Sequence, residues 1–366
     1  MFTHDACTRS TIRSIRRRSP TQRTKSLKQM PSLVTSDTVF EPVPDWAKVP
    51  HGLWLREACS VAVDDQDNVF VFNRGNQPIL VFDPDGNVID MWGNDNPPDA
   101  VRIIRDPYGN TMQFYDTWFT RPHAITIDHE QNVWLVDDTG HQINKMTKSG
   151  EYLMQIGDGT PAEYQSGEMF NKPTDVAISS KTGDIFISDG YGNSRVHRLD
   201  KNGNHIMSWG TPGTDPGEFN LPHNIALIDD QEVIVCDRES HRVQVFTIDG
   251  EFLRQWNAHK AVAVEVTGTG DDVRIYVAEQ GPTNGSPTRG NANTGNRIAV
   301  YDRQGNRLTR FGSTTFGNDP DQFLWPHSMA IDSQGNVYVA EVSYVEWGRH
   351  QKPRQEQASL RKWKQA

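Results

Sequence analysis

Three histidines in the sequence each follow a proline and open a hydrophobic, strand-like run. They are His123 in "TRPHAITID", His223 in "NLPHNIALID" and His327 in "LWPHSMAID". Intervals of 100 and 104 residues separate them, which is too long for a single supersecondary unit. Three imidazoles brought together form the usual protein ligand set of a catalytic zinc, with a further position open to water or substrate. A shorter repeat must underlie this spacing if the three rings are to meet.

Six copies of one unit of roughly 50 residues underlie the Pro-His pairs, a period in the range that indicates solenoids or propellers. Each copy contains short apolar runs joined by polar or glycine-containing turns, which predicts a four-stranded antiparallel sheet. In the second copy the runs are Ala124–Asp128, Asn132–Val136, Gln142–Met146 and Tyr152–Ile156. The six copies lie near residues 60–93, 122–157, 173–210, 222–257, 262–312 and 326–366.

Six such sheets stacked around an axis predict an all-β protein with the architecture of a six-bladed β-propeller. A pair of β-sandwiches is the alternative, but it explains the four runs per copy poorly. The sixth copy is incomplete and supplies about three strands. We therefore expect an N-terminal strand near Val49–Arg56 to complete the last blade and close the ring, which removes an open sheet edge.

The composition agrees with an all-β fold and excludes several classes of protein. The chain of 366 residues contains 29 Gly, 21 Pro and 10 Trp, as expected for many tight turns and aromatic packing. No apolar run reaches the roughly 18 residues that a membrane span requires. The cysteines, at positions 7, 59 and 236, lack a CxxC spacing and are too few for a disulfide framework, so the core must hold the fold.

Positive charge is concentrated at the N-terminus. Residues 1–30 contain eight Arg or Lys and one acid, Asp5, although the whole chain carries a net charge of −10. We expect residues 1–40 to form a disordered basic tail and residues 41–366 a single propeller. An organellar targeting segment is the alternative for the tail. Because the body is acidic and no secretory apolar segment is visible, we expect a cytoplasmic protein that binds neither nucleic acid nor membrane.

The propeller geometry explains why the histidines recur at alternate copies. The first strand of every blade lines the central channel, and His123, His223 and His327 open the first strands of blades 2, 4 and 6. Alternate blades of six are about 120° apart, so three rings converge on the axis. Pro-His as a mere turn variant is the alternative, but blade 3 has Pro173-Thr174 there, so histidine is not a structural necessity.

Further polar side chains are expected at the same mouth of the channel. The second strand runs antiparallel to the first, so its C-terminal end lies beside the histidine. Arg74 and Arg238 follow that end in blades 1 and 4, and blade 3 contributes Tyr191 in "SDGYGNS". Arginine binds carboxylates in a bidentate manner, and a phenol beside cations is a candidate general base. Solvated loop residues without function are the alternative for each.

The segments "FTRPHAITID", "SDGYGNSR", "PHNIALI" and "WPHSMAID" resemble the peptidyl-α-hydroxyglycine α-amidating lyases, and the repeats resemble NHL repeats. The resemblance covers about residues 55–341. It implies a zinc on His123, His223 and His327, an active-site tyrosine at Tyr191 and active-site arginines at Arg74 and Arg238. The implied reaction is cleavage of a peptidyl-α-hydroxyglycine into a peptide amide and glyoxylate. We expect a monomer acting on a small-molecule or peptide substrate with a C-terminal α-hydroxyglycine-like group.

The sequence departs from that family at one metal site. The family places an aspartate after the third zinc histidine, where it binds a structural calcium; this chain has Ser328 there. The remaining calcium contacts would be the backbone carbonyls of Val61 and Ile125. A hard divalent cation would lose its main anionic ligand, so we do not expect calcium.

Two other functions remain open at this point. A non-catalytic NHL propeller would bind a protein or ligand through one face and would not need Tyr191 or the histidines. A propeller hydrolase or lactonase would also use a metal at the channel mouth. Such enzymes usually employ acidic and asparagine ligands, so a three-histidine set argues against this reading.

Overall fold

The computed structural model describes residues 34–94, 101–105, 111–115, 118–281, 294–353 and 357–366. It confirms a six-bladed β-propeller in which every blade is a four-stranded antiparallel sheet. Blades 1 to 5 each use four consecutive strands, and blade 6 combines three C-terminal strands with the first strand of the chain. A separate hairpin lies between blades 1 and 2. No helix in the described ranges is long and apolar enough to cross a membrane.

The strand bounds follow the chain. Blade 1 contains β2 (Ala58–Val63), β3 (Val69–Asn73), β4 (Ile79–Phe82) and β5 (Val88–Trp92), and the hairpin contains β6 (Val101–Arg105) and β7 (Thr111–Tyr115). Blade 2 contains β8 (Pro122–Ile127), β9 (Val133–Asp137), β10 (Gln142–Met146) and β11 (Tyr152–Ile156). Blade 3 contains β12 (Asp175–Ile178), β13 (Ile185–Asp189), β14 (Arg195–Leu199) and β15 (His205–Trp209).

The second half of the ring repeats this order. Blade 4 contains β16 (Pro222–Ile228), β17 (Glu232–Asp237), β18 (Arg242–Thr247) and β19 (Phe252–Asn257). Blade 5 contains β20 (Ala261–Thr267), β21 (Arg274–Glu279), β22 (Arg297–Tyr301) and β23 (Arg307–Phe311). Blade 6 contains β24 (Pro326–Ile331), β25 (Val337–Glu341), β26 (Leu360–Gln365) and β1 (Phe40–Val43). Short helical turns lie at Arg238–Ser240, Gly270–Asp272, Ser343–Glu346 and Gly348–His350.

Tight turns with a recurrent sequence join the outer strands of a blade. In blade 1 the Asp83 carboxylate accepts hydrogen bonds from the backbone N–H and side-chain amide of Asn87, each at 2.8 Å. Gly86 has a φ of 84°, a left-handed conformation that glycine adopts without steric cost. The same Asp–Asn pairing occurs between Asp200 and Asn204 and between Asp302 and Asn306. This local chemistry is why the sequence predicts the strand pattern well.

The closing strand differs from the prediction. It is β1, Phe40–Val43, which pairs with β26 from Phe40↔Gln365 to Val43↔Lys362. The range 49–56, predicted to close the ring, is not a strand: Val49, Leu53 and Leu55 pack as a loop against blades 1 and 6. Their apolar spacing reflects this packing and not a sheet ladder.

The N-terminal boundary of the folded body also lies earlier than predicted. Residues 1–33 of the predicted tail lie outside the described residues. Val34 and Phe40, by contrast, are buried in the cluster between blades 5 and 6, where Phe40 stacks on Phe311 with ring centroids 4.3 Å apart. The segment 34–40 therefore belongs to the propeller.

The core consists of apolar clusters between adjacent blades, which is how a sheet that cannot cover itself becomes buried. Leu135 of blade 2, for example, packs with Phe72 of blade 1 in one cluster. The innermost strands contact one another around the whole ring. They enclose an axial cavity of about 250 Å³ lined by all six blades. The channel brings side chains that are distant in sequence onto one axis.

Candidate metal centre

A β-bulge places each histidine at the mouth of the channel. The register between first and second strands shifts at Pro122/Ala124, at Pro222/Asn224 and at Pro326/Ser328, and the intervening residue is His123, His223 or His327. A bulge turns a side chain out of the regular alternation of a strand and is frequent next to active sites. Each imidazole is therefore directed by an irregularity in its own strand.

In the three histidine blades an acid at the end of the second strand fixes the loop that enters the bulge. Asp137 accepts the backbone N–H groups of Thr120 at 2.6 Å and Arg121 at 2.8 Å. Asp237 accepts that of Asn220 at 2.7 Å. Glu341 does the same for residues 324 and 325, at 2.6 and 2.7 Å. These fully buried acids anchor the histidine loops.

The three imidazoles meet as the sequence predicts. Their ring centroids lie 4.8–5.0 Å apart, and one ring nitrogen from each lies within 4.8 Å of the others. All three are buried, with exposed fractions of 2% for His123, 1% for His223 and 5% for His327. Within the described residues this is the one cluster of three or more His, Cys, Asp or Glu side chains that could hold a metal ion.

Backbone carbonyls of the odd-numbered blades orient the rings. The Nδ1 atoms lie 2.6 Å from the Thr174 oxygen for His123, 2.8 Å from the Val262 oxygen for His223 and 2.6 Å from the Cys59 oxygen for His327. Since a carbonyl can only accept, each Nδ1 carries the proton and each Nε2 presents a lone pair. A carbonyl on the second ring nitrogen is the usual support of a histidine metal ligand. Even blades supply the imidazoles, and odd blades supply the carbonyls that orient them.

The surroundings keep the three rings neutral. Burial lowers the pKa of His123 well below its usual value, and the neighbouring histidines and arginines lower it further. Burial likewise lowers the pKa of His223, followed by the charge of Arg238, and that of His327, followed by the charge of Arg74. Neutral imidazoles are the form that binds metals.

Tyr191 lies directly beside the cluster. Its hydroxyl oxygen is 3.0 Å from Nε2 of His123 and 3.1 Å from Nε2 of His223. Glycines on either side allow this approach: a Cβ at Gly190 would lie 2.0 Å from the carbonyl oxygen of Pro222, and a Cβ at Gly192 would lie 2.1 Å from Asn171 Oδ1. The segment "DGYGN" is therefore a close-packed loop that holds a phenol over the histidines.

Arg74 lies at the same mouth with part of its guanidinium unpaired. Its Nε donates to the carbonyl oxygen of Pro122 at 2.8 Å, and one Nη lies 3.5 Å from Glu57. The second Nη is buried and has no hydrogen-bond partner in the structure. An unpaired buried guanidinium nitrogen is costly unless a ligand completes it, so this atom points to an anion-binding position.

Arg238 flanks the tyrosine, and a third arginine does the same. The guanidinium carbon of Arg238 lies 5.7 Å from the Tyr191 ring centroid, and that of Arg121 lies 5.9 Å from it. Arg238 is paired with Glu239 at 2.8 Å and Arg121 with Asp138 at 2.6 Å. The sequence reasoning missed Arg121 and Asp138. Comparing the residues that precede each Pro-His pair would have shown that only blade 2 has a charge there.

The chain is similar to known proteins in its repeats and over most of its length. The NHL repeat profile matches residues 170–199 and 219–246. Peptidyl-glycine alpha-amidating monooxygenase B of Xenopus laevis is 30% identical over 84% of this chain and 35% of that protein. The probable peptidyl-alpha-hydroxyglycine alpha-amidating lyase pgal-1 of Caenorhabditis elegans is 35% identical over 44% of this chain and 46% of that protein. The chain belongs to the peptidyl-α-hydroxyglycine α-amidating lyase family.

Two facts limit what family membership implies about the activity of this chain. The chain spans less than half the length of these two relatives, so their activity and substrates are not thereby assigned to it. Among solved structures, a gluconolactonase of Xanthomonas campestris superposes with a TM-score of 0.56 at 13% identity and covers 91% of each chain. At that identity the likeness shows the propeller fold alone.

The position of the lyase family's calcium aspartate carries a hydroxyl in this chain. Ser328 Oγ accepts hydrogen bonds from Ser60 Oγ at 2.9 Å and from the backbone N–H of Val61 at 3.3 Å. The Ser60 hydroxyl in turn accepts the backbone N–H of Ile125 at 3.1 Å. Hydroxyls and amides thus link the first strands of blades 6, 1 and 2. That calcium does not bind at Val61 and Ile125 remains a prediction.

Proposed function

We propose that the chain is a zinc-dependent carbon–nitrogen lyase that converts a peptidyl-α-hydroxyglycine into a peptide amide and glyoxylate. The observation that carries the proposal is the convergence of three neutral imidazoles, the Tyr191 hydroxyl and the Arg74 guanidinium at one end of the channel. Membership of the amidating lyase family supports the same reaction class.

The ligand set fits zinc better than it fits calcium or magnesium. Three histidine nitrogens without a carboxylate suit zinc and leave a coordination position open, whereas calcium and magnesium prefer oxygen ligands. Bound there, zinc would supply a Lewis acid that lowers the pKa of a hydroxyl at the open position. His123, His223 and His327 would hold it through Nε2, since each Nδ1 is hydrogen-bonded to a carbonyl.

Arg74 is the candidate for binding the carboxylate of the α-hydroxyglycine. Its unpaired Nη is buried beside the histidines, where a charge-assisted hydrogen bond is strong. The Pro122 carbonyl, adjacent to His123 in the chain, holds the guanidinium in place. The carboxylate is thereby directed so that the neighbouring α-carbon faces the imidazoles. Arg238, beside the Tyr191 ring, adds a second cation to this side of the pocket.

Tyr191 is the candidate general base. Its hydroxyl oxygen lies within hydrogen-bond reach of two ligand nitrogens and can therefore reach a hydroxyl bound between them. In the proposed reaction the phenolic oxygen takes the α-hydroxyl proton, and the O–H electron pair forms the C=O bond of glyoxylate. The C–N bond breaks, its electron pair remains on nitrogen, and the nitrogen takes up the proton that the Tyr191 phenolate accepted, which gives the amide and restores the phenolate. Atoms and charge balance without an added reactant.

Glyoxylate release tests the proposal. Purified protein is incubated with α-hydroxyhippurate, and glyoxylate is measured before chelation, after chelation and after zinc is restored. The expected result is release that falls on chelation and returns with zinc. A metal-free preparation that remains fully active would contradict metal dependence, and a zinc-loaded preparation that never releases glyoxylate would contradict the lyase reaction.

A non-catalytic binding propeller is the competing function, and the same protein distinguishes it. That alternative predicts no turnover with any α-hydroxyglycine substrate. It also predicts that a partner binds the His223→Ala and Tyr191→Phe variants as well as the wild type. The unpaired Arg74 nitrogen beside the histidines favours a small anionic ligand at this mouth and therefore the enzyme.

A further inference from the structure

The residues that precede the three Pro-His pairs occupy equivalent positions in the wall of the mouth. Each one's carbonyl oxygen accepts the N–H of the residue that follows the second-strand acid. These pairs are Arg121 with Asp138 at 3.3 Å, Leu221 with Arg238 at 3.1 Å and Trp325 with Val342 at 3.1 Å. Among the three histidine blades this position is apolar in two and charged in the third; in blades 1 and 5 the corresponding carbonyls belong to Glu57 and Lys260.

Arg121 is held firmly, yet its side chain remains open to the mouth. Asp137 fixes its backbone N–H, and its Nη1 donates to Asp138 at 2.6 Å. Asp138 is buried and also accepts the Thr139 hydroxyl at 2.8 Å. The Arg121 side chain is 44% exposed, compared with 13% for Arg74 and 15% for Arg238. A guanidinium has five N–H donors, so Arg121 can bind a further anion while paired with Asp138.

Arg121 lies next to the position proposed for the α-hydroxyglycine carboxylate. Arg74 donates to the carbonyl of Pro122, the residue that follows Arg121. Burial raises the pKa of Asp138, and the charges of Arg121 and then Arg74 oppose that rise, so both guanidiniums act on this carboxylate. Arg74 is thus the inner cation and Arg121 the outer one. If the hydroxyglycine carboxylate binds Arg74 and the peptide leaves the pocket past Arg121, an extended chain that advances about 3.5 Å per residue brings the preceding residue to the outer cation.

We propose that Arg121 is a specificity-determining residue that binds a side-chain carboxylate on the residue preceding the α-hydroxyglycine. The chain then prefers substrates with Asp or Glu at that position over their uncharged amides. The inference rests on the proposed lyase function and names a preference within it. Leu221 and Trp325, the equivalents in blades 4 and 6, offer no such charge.

The test compares acetyl-Asp-α-hydroxyglycine with acetyl-Asn-α-hydroxyglycine, which have nearly the same size and differ in charge. The ratio of their kcat/KM values for glyoxylate release is expected to favour the Asp substrate about tenfold in the wild type. In Arg121→Leu this ratio is expected to fall to about one, mainly through KM. Arg121→Lys keeps the positive charge but lacks the planar guanidinium that binds a carboxylate through two N–H groups. It is expected to retain part of the preference.

Two further variants separate specificity from structure. Arg121→Leu leaves the buried Asp138 unpaired. The double variant Arg121→Leu/Asp138→Val combines the Leu221 type of blade 4 with the Val342 type of blade 6 and keeps the test valid if the single variant is unstable. Arg198→Leu is the matched control, because Arg198 forms an equally short 2.6 Å pair with Asp184, at the opposite end of its blade. It should retain the wild-type ratio.

The outcomes distinguish this inference from the function on which it rests. Glyoxylate released from both peptides with a wild-type ratio near one would overturn the role of Arg121 alone. Equal losses on both substrates in the Leu and Leu/Val variants would also overturn it, because they indicate a purely structural residue. No glyoxylate from either peptide with zinc-loaded protein would overturn the lyase reaction and this inference together.

Discussion

At the scale of single residues, Tyr191 shows how closely the chain places a hydroxyl beside the three-histidine cluster. One phenolic oxygen contacts Nε2 of both His123 and His223, and two guanidiniums lie beside the same ring. Gly190 is required because the loop runs against the backbone of Pro222 in blade 4, and Gly192 because the loop runs against Asn171. The hydroxyl is therefore the atom most directly linked to the proposed chemistry.

We expect Tyr191→Phe to lower kcat for glyoxylate release by about 100-fold or more, because it removes the proposed base. Zinc content should remain that of the wild type, since the imidazoles and their carbonyl partners are untouched. Tyr164→Phe is the control, because Tyr164 is 75% exposed, and its activity should equal that of the wild type. Activity of the Tyr191 variant within threefold of the wild type would show that another group moves the proton.

At the scale of elements, the first and second strands of a blade act together to aim a ligand. The bulge in the first strand turns the histidine, and the acid ending the second strand fixes the preceding loop. In blade 1 Asn73 takes the place of the acid, and its Oδ1 accepts the backbone N–H of Glu57 at 3.2 Å. The acids that end the second strands of the histidine blades thus serve to position the histidine loops.

We expect Asp137→Ala to destabilise the fold by about 2 kcal/mol, because three backbone N–H groups lose a buried acceptor. Zinc affinity should fall about tenfold, because the loop that leads to His123 is no longer held in place. Chemical denaturation and competition with a zinc chelator measure the two effects. As a control, Asp83→Ala in an exposed blade turn should leave zinc affinity unchanged. Unaltered zinc affinity in the Asp137 variant would show that the bulge alone orients the ring.

Local pattern explains which elements the sequence predicts and which it does not. Alternating apolar runs and Asp–Gly–Asn turns are local signals, so the four strands of blade 2 fall within two residues of their predicted bounds. The closing strand "FEPV" is short, contains Pro42 and pairs with residues more than 300 positions away, so no local signal marks it. The charge of Arg121 is visible when the residues before the three Pro-His pairs are compared, but its position beside Tyr191 exists only in three dimensions.

At the scale of the whole molecule, the ring creates an axial environment that no single blade contains. Asp175 of blade 3 and Glu265 of blade 5 line the cavity on the axis, together with Asn224 and Ser328. Burial raises the pKa of Asp175 to about 7 and that of Glu265 to about 8, and the Asp175 charge contributes to the rise at Glu265. The closed channel therefore favours the protonated acids.

This predicts a stability that decreases from mildly acidic to mildly alkaline pH. A carboxyl group whose pKa is higher in the folded state does not change the free energy of unfolding at pH values below its unfolded-state pKa. It lowers that free energy increasingly as the pH rises to the folded-state pKa. The relevant window for Glu265 runs from about 4.5 to about 8. We expect Glu265→Gln to match the wild type near the lower limit and to exceed its free energy of unfolding by about 2 kcal/mol near the upper one. Parallel curves of unfolding free energy against pH for the two proteins would contradict this, because they would show that folding does not raise the pKa of Glu265.

The central claim is that His123, His223 and His327 bind one metal ion, and elemental analysis tests it most directly. Wild type and His223→Ala are purified under the same zinc-containing conditions and dialysed, with His129→Ala as a control at an exposed position. The account predicts about one zinc per chain in the wild type and the control, and about a tenth of that or less in His223→Ala. Equal zinc in all three proteins, or none in the wild type, would contradict it.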